Sequence, residues 1–136
     1  MGHKRIIETA PVKLAVDAET LGEAIHTFQE CAAACTACAD ACLAEDDVEG
    51  LRDCITLDNV CAEICTATAN VMSRIAYGSY DVLRAQLEAC VAACRACADE
   101  CDSHGDMHDH CRACAQQCRE TEKVARELLD ALPRSA

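Results

Sequence analysis

The sequence predicts an all-α protein, an antiparallel four-helix bundle built from a duplicated helical hairpin. Three observations lead to this prediction. Cysteines recur at helical intervals, four long segments are separated by short turn-forming stretches, and the second half of the chain repeats the cysteine spacing of the first. Helices of about 25 residues joined by short loops pack as antiparallel neighbours.

The chain begins with residues 1–16, a mixed segment that contains Pro11 and that we expect to form an N-terminal arm. Residues 17–136 are expected to form the bundle domain. The sequence predicts its helices over 18–45, 47–76, 79–103 and 106–132. Ser79 is a predicted N-cap after a glycine, and Pro133 is expected to end the last helix.

Two segments share the spacing C-x3-C-x2-C-x3-C: the first begins at Cys31 and the second, 59 residues later, at Cys90. Because an α-helix advances about 100° per residue, the cysteines of each segment fall within an arc of about 60° on one face. The other two predicted helices carry shorter stripes. All fourteen cysteines therefore belong to stripes: Cys31, Cys35, Cys38, Cys42, Cys54, Cys61, Cys65, Cys90, Cys94, Cys97, Cys101, Cys111, Cys114 and Cys118.

The shorter stripes align when the second predicted helix is shifted by 57 residues, so that Cys54 matches Cys111. Leu57 then takes the place of Cys114, and Glu122 takes that of Cys65. The stripes lie in the C-terminal halves of the first and third helices and in the N-terminal halves of the others. Antiparallel packing would gather them at one end of the bundle, as a thiol-lined tube, and leave an ordinary apolar core at the other end.

Composition limits the possible partners. The formal net charge of −12 argues against nucleic acid and against anionic membrane surfaces. No secretory signal and no run of about 20 apolar residues is present, so we expect a cytoplasmic protein. No nucleophile–base pair or phosphate-binding loop is evident, so we do not expect an enzyme. In a reducing compartment, many cysteines favour metal binding over disulfides.

The stripes distinguish among metals. Structural zinc sites close a few ligands into a tetrahedron, and iron–sulfur sites need a chain that curls around the cluster. Facing columns of thiols instead offer many two- and three-coordinate sites, which suit several Cu(I) ions bound by soft thiolates. Thiolates that bridge two Cu(I) ions would give about one metal per sulfur and a neutral core, whereas a zinc tetrathiolate carries a charge of about −2.

Other soft ligands stand beside the predicted loop between the third and fourth helices. His104, Met107 and His108 are expected near the open end of the tube, as additional Cu(I) ligands or as loop and cap residues. His110 lies about 100° from the cysteine stripe of its helix, which predicts a solvated side chain. His3 and His26 are likewise predicted to be surface residues.

With these stripes, duplicated hairpins and nearby His and Met residues, the chain resembles the bacterial copper storage proteins over about residues 20–130. The resemblance implies a four-helix bundle whose cysteines hold many Cu(I) ions, with His104, Met107 and His108 as candidates at its mouth. Because it has no secretory signal, the chain resembles the cytosolic branch of this family. Members of that branch are tetramers, so the resemblance implies a homo-oligomer. A copper chaperone or a low-molecular-weight thiol is the expected exchange partner.

Two alternatives to copper storage are left open by the residues themselves. One is a general soft-metal or zinc sequestering protein, and the other is a thiol-rich structural or redox bundle.

Overall fold

The computed structural model describes residues 2–134, which form helices and no strand. The helices are α1 (Gly2–Glu8), α2 (Ala18–Leu43), α3 (Arg52–Met72), α4 (Tyr80–Asp102) and α5 (Asp109–Ala131), with a 3-10 helix (Val48–Leu51) before α3. The all-α prediction is confirmed.

Two helices begin later than the sequence predicts. The segment expected to open the second long helix winds as the 3-10 helix, so α3 begins only at Arg52. The last helix was predicted to begin at residue 106, but residues 103–107 form consecutive turns and His108 is the N-cap of α5. Short polar residues compete with the helix for backbone hydrogen bonds near its start, which makes such boundaries hard to read from periodicity.

The turn between α3 and α4 depends on glycine for steric reasons. The amide of Gly78 donates to the carbonyl oxygen of Arg74 at 2.7 Å. A Cβ on residue 78 would lie 2.6 Å from that oxygen. Ser79 is the N-cap residue of α4, as predicted, although its side chain makes no capping hydrogen bond.

The N-terminal segment packs onto α2. Ile7 of α1 and Val16 of the following loop are buried in the common core. Asp17 then caps α2, because its carboxylate accepts from the amide of Thr20 at 2.9 Å. His3 was predicted to be a surface residue, but it is half-buried in this contact and its Nε2 is buried without a hydrogen-bond partner.

The four long helices enclose one core: α2 contacts α3 and α5, and α4 contacts the same two helices. One half of this core is apolar and includes Leu21, Phe28, Met72, Leu83, Leu87 and Leu128, none more than 2% exposed. Burying a side chain of this size stabilises the fold by about 1.5–3 kcal/mol.

The other half of the core is made of cysteine, and two buried threonines lie between the halves. The hydroxyl of Thr68 donates to the carbonyl of Ile64 at 2.7 Å, and that of Thr121 donates to the carbonyl of Gln117 at 2.8 Å. Each hydroxyl is thereby satisfied within its own helix.

Candidate metal centre

All fourteen cysteines are free thiols, and all are buried. Four come from α2, three from α3, four from α4 and three from α5. We call this set of cysteines the sulfur core. The predicted helical stripes thus meet inside the molecule and share one half of its core.

Sulfur atoms on neighbouring helices approach closely without bonding. Cys54 Sγ lies 3.5 Å from Cys101 Sγ, and Cys35 Sγ lies 3.6 Å from Cys118 Sγ. A disulfide needs about 2.05 Å. Two sulfurs on one metal ion at about 2.3 Å, with bond angles between tetrahedral and trigonal, are about 3.8–4.0 Å apart. The sulfur spacing therefore fits metal coordination with only small movements.

The sulfurs form overlapping groups of four whose ligand atoms all lie within 4.8 Å of one another. Three such groups are connected through shared members: Cys31, Cys61, Cys65 and Cys94; Cys31, Cys35, Cys61 and Cys118; and Cys35, Cys97, Cys114 and Cys118. A further group joins Cys38, Cys42, Cys54 and Cys111. Shared cysteines make the arrangement continuous rather than a set of separate tetrahedral sites.

Asp58, which the sequence reasoning did not single out, also belongs to this centre. Its side chain is fully buried. Its Oδ1 lies 3.1 Å from Cys97 Sγ and 3.3 Å from Cys114 Sγ. With Cys38, Cys54 and Cys101 it forms another group that could hold a metal ion.

The sequence contained a signal for Asp58. Cys54, Asp58, Cys61 and Cys65 repeat the 4-3-4 spacing of the two long stripes, with aspartate in the second place. The 57-residue alignment of the cysteines places Leu57 opposite Cys114, but Leu57 is only half-buried. The residue that completes the α3 stripe is its neighbour Asp58.

Burial determines the protonation of Asp58. Loss of water, the nearby sulfurs of Cys114 and Cys97 and the hydrogen bond with Cys97 together raise the pKa of its carboxyl to about 10, and loss of water is the largest cause. The carboxyl is therefore neutral at pH 7. It donates its proton to sulfur or accepts hydrogen bonds from thiols. Burial likewise raises the pKa of Cys42 to about 11.

His108 is the N-cap residue of α5, at the loop end of the molecule. Its ring is buried, with Nδ1 at 2.8 Å from Glu45 Oε2 and Nε2 at 3.1 Å from Asp47 Oδ2. The hydrogen bond to Asp47 is the main cause that raises the pKa of His108. Both ring nitrogens of this candidate ligand are engaged by carboxylates.

The other two candidates of this loop lie differently. His104 Nε2 is 2.7 Å from Glu100 Oε2, one turn back on α4. The Met107 side chain is 75% exposed. These three residues thus share a loop without converging on one point of the sulfur core.

His110 corrects the sequence reasoning, which predicted a solvated side chain. Its Nδ1 lies 3.5 Å from Cys38 Sγ and 3.6 Å from Cys111 Sγ, and its Nε2 lies 2.9 Å from Glu45 Oε2. The ring also stacks on His108, with centroids 5.5 Å apart. Side chains in the first turn of a helix lean towards its N-terminus, which brings His110 over the end of α2 despite its angle from the stripe.

Glu45 connects these groups. Because its carboxylate accepts from His110 Nε2, the Nδ1 of a neutral ring is left as an acceptor for a thiol proton. His26, by contrast, is exposed, as predicted. Within residues 2–134, no helix is both long and apolar enough to cross a membrane.

Known proteins include relatives of this chain. A family model described as copper storage protein matches residues 17–130. The copper storage protein Ccsp from Streptomyces lividans, solved with 10 copper equivalents, is 47% identical; the match covers 96% of this chain and 99% of that one, with a TM-score of 0.91.

Two further relatives were found. A structure of a cytosolic copper storage protein from Streptomyces lividans with five coppers is 50% identical, covers 85% of this chain and 96% of that one, and has a TM-score of 0.82. An uncharacterized cysteine-rich protein of Bacillus subtilis, YhjQ, is 36% identical over 87 residues, or 64% of this chain and 75% of the relative.

Proposed function

Because the chain belongs to the copper storage protein family, we propose that it stores many Cu(I) ions in the sulfur core. The observation that carries this proposal is the set of overlapping four-ligand groups, in which single cysteines serve two groups. A cysteine that belongs to two groups can serve both if its thiolate bridges two Cu(I) ions. Separate tetrahedral zinc sites would have no need of shared cysteines.

Charge balance favours Cu(I) over Zn(II) as the cargo. Fourteen thiolates and about as many Cu(I) ions form a nearly neutral core, whereas zinc tetrathiolates would bury net negative charge at a high desolvation cost. The whole chain already carries a formal net charge of −12. Adding uncompensated negative charge inside such a molecule would be unfavourable.

The proposed ligands are the fourteen cysteines of the sulfur core, together with Asp58 and side chains at the loop end. Asp58 supplies an oxygen within one of the four-ligand groups. Met107 and His104 offer a thioether and an imidazole beside the loop, both acceptable to Cu(I). His108 must release Glu45 or Asp47 before a ring nitrogen can bind an ion.

Loading must remove protons, because thiolates rather than thiols bind the metal. His110 is placed for this task beside two thiols, Cys38 and Cys111. Its Nδ1 faces Cys38, and its Nε2 is held by Glu45. When a Cu(I) ion reaches Cys38, the ring accepts the departing proton, and the carboxylate stabilises the imidazolium that forms.

The architecture we propose is an antiparallel four-helix bundle built from a duplicated hairpin, preceded by an arm at residues 1–16. The order of sulfur pairs supports it. Cys42 approaches Cys111 while Cys31 approaches Cys118, so α2 and α5 run in opposite directions. The contacts of α2 with α3 and of α4 with α5 support the two hairpins.

We also propose that the protein acts in the cytosol as a non-catalytic copper buffer and assembles as a homo-oligomer. The relative solved with five coppers is described as cytosolic. A copper chaperone or a small thiol would exchange Cu(I) with it.

An anaerobic titration tests the function. The reduced protein competes with a chromogenic Cu(I) chelator while Zn(II) is titrated in a parallel sample. We expect more than ten tightly held Cu(I) ions per chain and no comparable zinc uptake. Saturation at three or four ions, or a preference for Zn(II), would favour a sequestering protein of another kind. Loss of helicity on thiol reduction would favour a disulfide scaffold.

A further inference from the structure

The first turn of α1 lies against the N-terminal half of α2 and forms a cavity with it. The cavity has a volume of about 310 Å³. Its lining includes His3 from α1, and Glu23 and His26 from α2. Among the residues that the structure describes, no cysteine lines this cavity. It lies beside the apolar half of the molecule and is separate from the sulfur core.

One imidazole of this cavity has a buried nitrogen that lacks a partner. His3 lines the cavity, and its Nε2 is buried without a hydrogen bond. Within residues 2–134, it is the only buried side-chain nitrogen or oxygen in this condition. Buried polar atoms in native proteins are almost always satisfied, so this nitrogen indicates a partner that the chain itself does not supply.

The side of α2 that borders the cavity carries two more ligand groups. Glu23 and His26 are three residues apart on this helix, so their side chains are neighbours on one face. Both side chains are exposed. In the described part of the chain, neither makes a hydrogen bond or an ion pair. Both can therefore turn towards His3 without breaking another contact.

The charges of the cavity favour a cation. Lys4 and Glu19 also line it, and they form an ion pair with each other. The carboxylate of Glu23 therefore remains as an uncompensated negative charge. Gly22 lies between these groups, and a Cβ there would come within 3.3 Å of Lys4 Cγ. The glycine thus lets α1 approach α2 closely enough for ligands on both helices to share one ion.

We propose that His3, Glu23 and His26 bind one Zn(II) ion that joins α1 to α2. Two imidazoles and one carboxylate are a donor set that zinc uses when a fourth position is left to water. Nitrogen and oxygen ligands select Cu(I) less strongly than thiolates do, so Cu(I) is drawn instead to the sulfur core. The zinc ion gives the buried Nε2 of His3 the partner that it lacks, and it offsets the charge of Glu23.

A bound ion matters for the N-terminal segment. Among the elements of the described chain, α1 contacts α2 and no other. The buried residue of α1 is Ile7, one turn further along the helix than His3. A zinc ion shared by His3 and α2 fixes the first turn of α1 as Ile7 fixes the last. The site goes beyond copper storage, because none of its three ligands is among the proposed Cu(I) ligands.

Cobalt(II) provides a spectroscopic probe for this site. The untagged, reduced protein is first saturated with Cu(I) without oxygen, so that its thiols are occupied, and Co(II) is then titrated. We expect one Co(II) ion per chain, with visible absorption bands, no sulfur-to-cobalt charge transfer, and displacement by Zn(II). His3→Ala, His26→Ala and Glu23→Gln should each weaken binding by about tenfold or more, because even groups outside the ligand shell contribute that much. Glu88→Gln, at an exposed position of α4, is the matched control for Glu23→Gln.

Two results would overturn the site. One is the absence of Co(II) binding by the wild type. The other is a Co(II) spectrum that stays the same in the His3→Ala and His26→Ala variants, since the ion would then be held elsewhere. The number of Cu(I) ions is counted in the same samples. A low count would contradict copper storage, whereas loss of the Co(II) bands in the variants reports on the zinc site.

Hydrogen exchange tests whether the ion joins the two helices. With Zn(II) at about ten times its dissociation constant, amide exchange in α1 of the wild type should slow by about tenfold. The same addition should leave exchange in α1 unchanged in the His3→Ala variant. Exchange in α1 of the wild type that does not respond to Zn(II) would contradict an ion shared by the two helices.

Discussion

Asp58 takes the place of a cysteine in the α3 stripe and differs from all of its neighbours in the sulfur core in chemistry. It is a carboxyl among thiols, fully buried and held neutral because burial raises its pKa to about 10. In the metal-free protein it contributes hydrogen bonds to sulfur. When copper displaces the thiol protons, the same carboxyl can lose its own proton and contribute an oxygen.

The protonation of Asp58 makes the stability of the metal-free protein depend on pH. Above pH 3.8 the unfolded carboxyl ionises, whereas the folded one keeps its proton until about pH 10. The free energy of unfolding should therefore fall as pH rises through this window. Asp58→Asn should remove that part of the slope and stabilise the reduced apoprotein at pH 7 by about 1 kcal/mol or more.

Denaturant unfolding of the reduced apoprotein at pH 5 and pH 8 measures this effect. Asp53→Asn, an exposed position on the same helix, is the matched control and should leave the slope unchanged. If the free energy of unfolding changed equally with pH in wild type and in Asp58→Asn, the fold would not hold the carboxyl neutral.

His110 should act on the rate of loading more than on its extent. Replacing it by Ala removes the acceptor beside Cys38 but leaves all fourteen thiols. We expect early Cu(I) uptake, followed by anaerobic stopped-flow absorbance, to slow by about tenfold or more, since a positioned acid–base group contributes at least that much. His26→Ala, at an exposed position of α2, is the control; an identical effect there would remove any special role for His110.

Among the structural elements, the connection from α2 to α3 is tied to the start of α5 by ion pairs. His108 binds Glu45 and Asp47 from that connection, and Glu45 also binds His110. A histidine whose pKa is raised on folding contributes stability below its unfolded pKa of about 6.5, and this is lost as pH rises through the folded value.

Removing the ion pair between His108 and Asp47 should therefore destabilise the apoprotein more in mild acid than in mild base. Asp47→Asn should lower the melting temperature of the apoprotein more at pH 6 than at pH 8.5, because the imidazolium loses its first partner. Asp46→Asn, the exposed neighbour, provides the control. A difference that does not vary with pH would show that the charge of His108 is not involved.

The apolar halves of the long helices should hold the fold together before copper arrives. Phe28 and Leu87 are completely buried there. Truncating either to Ala should cost about 2–5 kcal/mol in the reduced apoprotein, measured by denaturant unfolding. Cys31→Ala, which removes a smaller buried group one turn from Phe28, should cost clearly less. Equal costs would mean that thiol packing supports the metal-free fold as much as the apolar half does.

In the molecule as a whole, helical periodicity predicted most of what was found. Four cysteine stripes predicted four inward faces, and the structure brings all fourteen cysteines into one buried core. Periodicity worked because a 3.6-residue period relates positions on a regular helix, and most of the chain is regular.

The features that periodicity missed lie where helices begin or where a stripe changes residue type. His110 leans back over α2 from the first turn of α5, and its contacts depend on how two helices meet. Asp58 keeps the spacing of a stripe but not its chemistry.

The central claim is that the bound copper and the cysteines form one continuous, nearly neutral core. The mass of the Cu(I)-saturated protein tests this claim. Native mass spectrometry of the Cu(I)-saturated protein, prepared without oxygen, counts the bound ions and the protons lost. We expect about fourteen or more Cu(I) ions per chain, with close to one proton released per ion. Three or four metal ions per chain, or retention of most thiol protons, would contradict a shared store and indicate separate closed sites instead.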